Sequence, residues 1–209
     1  MIVQDVFRKF ETIGINCEFA FVQRRAGVEE SGLLRWAFIN SLSGLVKGLN
    51  NNFQDIYALE NITPHGAKMV RDETYEIAFH SNLPYDERNV FTMPWATFKT
   101  AYRTERDKII HLRDKTIENL KDGHKIFVYK HHRPTSEEHA HYIKEAMSRI
   151  GDCALLIVSP ANEENPAGTV RKSGSSIYWG YIDRIAPIGR ADTGNDAGWL
   201  EICTKVVEF

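Results

Sequence analysis

The chain has 209 residues, 43% of them hydrophobic and 26% charged, the balance of a globular protein able to bury a sizeable core. A net charge of -2 offers no basic surface for nucleic acid or anionic membrane, and no apolar run approaches the ~18 residues of a membrane span. The three cysteines, Cys17, Cys153 and Cys203, are far apart and odd in number, which points to free thiols in a reducing, cytoplasmic setting.

The opening MIVQDVFRKF lacks a basic stretch followed by an apolar one, so no signal peptide is expected. Residues 10 to 13 read as a short strand entering a loop at Gly14. From Cys17 to Ala26 the pattern is helical, and the run Phe19, Ala20, Phe21, Val22 leaves so little polar face that this helix should be buried. Gly27 suits its C-cap. A second helix is predicted from Ser41 to Asn51, with Ser41 as N-cap and Leu45, Val46 and Leu49 facing inward. In KMVRDETYEIAFH, Tyr75, Ile77 and Phe79 alternate with Thr74, Glu76, Ala78 and His80, and Asp72-Glu73 supplies a turn, so a β-hairpin is expected.

Pro94 opens a long helix whose apolar stripe is Trp95, Phe98, Tyr102, Ile109, Ile117 and Leu120, ended by Asp122-Gly123. Three buried strands are expected at 125 to 130, 153 to 160 and 177 to 187. Between the first two, the capping-box sequence TSEE at 135 to 138 starts a helix that stops at Gly151. Residues 161 to 175 read as a mobile loop, and a final helix from about Asp196 to Val207 turns Trp199, Ile202 and Val206 inward. Strands alternating with helices predict a single α/β domain over 1 to 209, its mainly parallel sheet flanked by helices, with a β-rich hairpin insertion at 54 to 93.

Several residues could carry chemistry. A thiol at a helix start faces free N–H groups and the positive end of the dipole, both of which favour the thiolate, so Cys17 is a candidate nucleophile; the bland alternative is a small buried filler. Of the eight histidines, His80 ends a strand on its non-core face and could serve as a base. His139 and His141 are two apart on a helix and do not share a face, which argues against a metal pair. Arg35, inside the apolar GLLRWAF, costs too much to bury alone and needs a carboxylate or an anionic ligand. Asp183 and Arg184 in GYIDRIAP raise the same question, and with Asn16 they complete a candidate ligand-binding set. The Gly-Ile-Asn-Cys turn lacks the glycine spacing of a phosphate loop. No metal or cofactor is expected, and oligomeric state is not readable.

The order IGINCEFAFVQRR, SGLLRWAF, a strand ending in Phe-His, a long helix and IFVYK resembles a largely uncharacterised bacterial family described as papain-like cysteine peptidases, in particular an alphaproteobacterial branch. The match spans most of the chain and is most specific before residue 40. The resemblance implies a cysteine-dependent hydrolase or acyl transferase, with Cys17 as nucleophile and His80 as its base. Arg35-Trp36 stands where many members carry Asp-Trp. The competing expectation is a non-catalytic protein whose cleft holds an anionic, sugar-derived ligand.

Overall fold

A computed structural model describes residues 2–66, 68–187 and 189–209. Its elements in chain order are α1 (Val3–Arg8), β1 (Phe10–Thr12), α2 (Glu18–Arg25), β2 (Ala37–Ile39), α3 (Leu42–Asn50), β3 (Ile62–His65), β4 (Met69–Asp72), β5 (Ile77–His80), α4 (Trp95–Asp122), β6 (Ile126–Lys130), α5 (Glu137–Ser148), β7 (Ala154–Pro160), β8 (Val170–Ser173), β9 (Ile177–Ile182) and α6 (Asp196–Glu208). A five-stranded sheet has the order β1-β6-β7-β9-β8, parallel except for the edge strand β8. A second, four-stranded antiparallel sheet has the order β2-β5-β4-β3.

The parallel sheet is buried on both faces, so its strands read as continuous apolar runs. Along β6 and β7, Val128, Leu156 and Val158 turn to the layer holding α1, α2 and α6, while Phe127, Tyr129, Leu155 and Ile157 turn the other way. That second cluster runs without a break through α3, α4 and α5 into the antiparallel sheet. Tertiary burial, more than local propensity, therefore holds the short strands β1 and β2 in place.

Local signals explain most helix ends. Gly27 takes φ +80°, and the N–H groups of Gly27 and Val28 close on the carbonyls of Arg24 and Gln23, a Schellman stop for α2. Ser41 caps α3 through the Gly44 N–H, and Gly123 at φ +69° ends the 28-residue α4. α4, though long enough, is too polar to cross a membrane, and among the described residues no helix is long and apolar enough to do so.

Five expectations need correcting. Trp95 is 58% exposed at the first turn of α4, where its ring stacks on Phe98. Tyr75 belongs to the turn between β4 and β5 rather than to a strand, anchored where its N–H donates to Asp72. The α5 cap is Ser136, one residue later than the TSEE reading, and it accepts from the His139 N–H. The supposed mobile loop contains β8, paired antiparallel with β9. Last, the antiparallel sheet draws in β2, so it is not confined to 54–93.

Candidate functional site

The carboxyl ends of β1 and β6 lie side by side, the edge at which open α/β sheets hold ligands. Beyond β1 the chain stays alongside β6: the Ile13 and Ile15 N–H groups donate to the carbonyls of Val128 and Lys130 at 2.8 and 3.3 Å. Gly14 permits this approach, since a Cβ there would stand 3.1 Å from the Lys130 nitrogen. The chain then turns at Asn16 and Cys17 into α2.

Strand alternation aims Lys130 at that turn. Its ammonium donates to Glu18 Oε2 at 2.7 Å and to Asn16 Oδ1 at 2.9 Å. Glu18 is 0% exposed and Lys130 3%. Trp199 Nε1 donates to the other Glu18 oxygen at 3.2 Å, and Asn16 Oδ1 also accepts from the Glu18 N–H. The remaining Asn16 amide group meets His132 Nε2 at 3.5 Å. A polar chain thus runs from α6 through α2 and β6 to the surface histidine. Burial pulls Lys130 below the ordinary lysine range, and the Glu18 carboxylate opposes that.

Cys17 does occupy the N-cap of α2. Burial pushes its thiol up to about 11, the Lys130 ammonium opposing, and its sulfur lies 3.9 Å from the Ala37 carbonyl oxygen. That carbonyl belongs to β2, whose Ile39 N–H bonds Ile15 while its other edge pairs with β5. Strand β2 therefore lies between Cys17 and the strand that carries His80, and strands are about 4.8 Å apart. His80 itself is exposed, and no hydrogen bond joins it to Cys17 among the described residues.

The other predicted residues scatter. Arg35 is buried beyond the C-terminal end of α2, donating to the carbonyls of Val28 and Glu30. Among the described residues no carboxylate forms an ion pair with it, which corrects the expected pair: loop carbonyls solvate the guanidinium. Asp183 and Arg184 are exposed past β9; Asp183 accepts from Asn195 Nδ2 at 2.6 Å, the residue that caps α6. Only Asn16 and Cys17 share the carboxyl-edge cluster.

A groove of about 580 Å³ opens at this edge, between the β2–α3 junction and the segment after β6. Its wall includes Asn40, Ser41, His131, His132, Arg133 and His139. His131 Nδ1 accepts from the Arg133 N–H at 3.0 Å, which leaves Nε2 as the proton-bearing nitrogen of the neutral ring. Burial, with the Lys130 charge adding to it, holds both His131 and His132 below the usual histidine value. Thr135, also on the wall, has a buried hydroxyl with no partner among the described residues. Among the described residues no three His, Cys, Asp or Glu side chains cluster as a metal site.

Sequence reasoning missed Glu18 and the role of Trp199, and it preferred His80 to His132. The signal for Glu18 was present: a carboxylate inside CEFAF raises the same question as Arg35 inside GLLRWAF. His132 carried a signal, since it follows a strand end where α/β ligands often sit, but adjacent histidines are commonly solvent-facing and that outweighed it. Against known protein families, curated proteins and solved structures, the chain matches none.

Proposed function

We propose that the protein binds a small, hydroxyl-bearing anion, such as a sugar phosphate or sugar acid, in the carboxyl-edge groove. The observation that carries this reading is the convergence of His131, His132, Arg133 and His139 on one concave surface that also holds the unpartnered Thr135 hydroxyl. Arg133 supplies a permanent cation and the imidazoles supply donors, while the groove hydroxyls suit a polyol. The fixed network behind Asn16 holds His132 in one orientation.

Binding is tested by nuclear magnetic resonance titration of the histidine signals with glucose 6-phosphate, glucuronate and glucose. The charged sugars are expected to shift His131 and His132, and glucose to do so weakly. Arg133→Ala should weaken binding by about 10- to 100-fold, the worth of one charged hydrogen bond. An anion favours the protonated rings and raises their pKa values, so affinity should increase as pH falls through the raised values of the bound state and level off once the free rings, held below the usual histidine value, are charged. Unmoved histidine signals with every probe, or an unchanged affinity in Arg133→Ala, sink the proposal.

The resemblance to papain-like peptidases supplies a second reading, a thiol hydrolase using Cys17 and His80. What favours it is the place of Cys17 at the N-cap of α2 beside the Lys130 charge. Iodoacetamide labelling against pH separates the two. With the thiol near 11, labelling of Cys17 should be slow at pH 7 and rise about tenfold per pH unit above it. Rapid labelling of Cys17 at pH 6 would restore the hydrolase.

A further inference from the structure

A separate cavity of about 200 Å³ lies at the opposite end of α2, and its wall includes Glu11, Gly32, Arg35, Lys115, Asn119 and Lys125. Among the described residues, two of these are buried charges without an ionic partner. Arg35 is 2% exposed and bonds only backbone carbonyls, with its Nε unpartnered. Glu11 is 7% exposed and accepts only from neutral groups, the Thr116 hydroxyl and the Asn119 amide, both at 2.6 Å. Gly32 packs against this carboxylate so closely that a Cβ would stand 1.9 Å from Oε1.

Isolated buried charges of either sign are costly, and a protein that keeps both on one cavity wall gains if a ligand brings the two counter-charges. We propose that this cavity is a binding site for a free α-amino acid, its ammonium on Glu11 and its carboxylate toward Arg35. The site is independent of the carboxyl-edge groove. Three cations, Arg35, Lys115 and Lys125, face two carboxylates, Glu11 and Glu30, and Glu30 is already engaged by Arg8 at 3.5 Å. That balance favours amino acids with an acidic side chain. The volume matches so small a molecule. Burial raises the Glu11 carboxyl above its ordinary range, the response of an acid with no cation in contact, and an incoming ammonium would reverse it.

Thermal denaturation and calorimetry of the whole protein with each standard α-amino acid, and with acetate and methylammonium as half-ligands, test the site. Aspartate or glutamate is expected to raise the melting temperature most, and neither half-ligand to do so at the same concentration. Glu11→Gln should weaken binding at least about tenfold by removing a charge-assisted bond. Should that variant not fold, Lys115→Gln at the half-buried rim is expected to weaken the acidic amino acids more than alanine. The proposal is overturned if no amino acid binds, if acetate binds as tightly as aspartate, or if binding survives both substitutions unchanged.

Discussion

Lys130→Met is expected to destabilise the protein by about 3 to 5 kcal/mol, the cost of leaving one partner of a buried ion pair uncompensated. The substitution conserves much of the side-chain volume but strands Glu18, which is 0% exposed and would keep only the Trp199 N–H and no cation. Asn16 would lose a donor at the same time, loosening the turn that carries Cys17. For a chain of this size the loss corresponds to roughly 6 to 20 °C in melting temperature. Glu18→Leu combined with Lys130→Met should recover most of it, because apolar groups of similar size replace a buried pair at little cost. Urea unfolding of the single and double variants measures this directly. A single variant within about 1 kcal/mol of the parent would show that water reaches Glu18.

The second large effect is at Trp199. It is 0% exposed, its ring centroid lies 4.8 Å from that of Phe19, and its N–H bonds Glu18. Truncation to alanine should cost about 3 to 5 kcal/mol through the cavity left between α2 and α6. Trp199→Phe fills most of that space while deleting the donor, so its smaller cost, about 1 to 3 kcal/mol, isolates the hydrogen bond to a buried carboxylate. Denaturant midpoints of the two variants separate packing from polarity. Equal losses in both would mean that packing contributes little and the hydrogen bond dominates.

How far the sequence could be read depended on the range of the interactions. The runs IFVYK and CALLIVSP, apolar until Lys130 and Ser159 near their ends, read as strands covered on both faces, and they became β6 and β7. Ser41 and the glycines at 27 and 123 mark helix ends through groups within a turn of themselves, and all three act there. β8 was hidden because its residues VRKS are mostly exposed at a sheet edge and carry no apolar alternation. Trp95 misled because a stripe predicts which residues share a face, not how far along a helix that face stays covered.

The site follows the same division. Composition and periodicity alone determined an α/β chain with a largely parallel sheet, a helix beginning at Cys17, and a charge at 35 that a core could not hold unaided. The partners of Glu18 came from residues more than a hundred positions away, Lys130 and Trp199, whereas those of Arg35 came from the neighbouring loop. Tertiary structure also decided that Cys17 is desolvated, that β2 separates it from the strand of His80, and that Arg35 rests on loop carbonyls. The reason is physical: local propensity acts through neighbours one turn away, whereas desolvation and ion pairing depend on what the rest of the chain packs against each group.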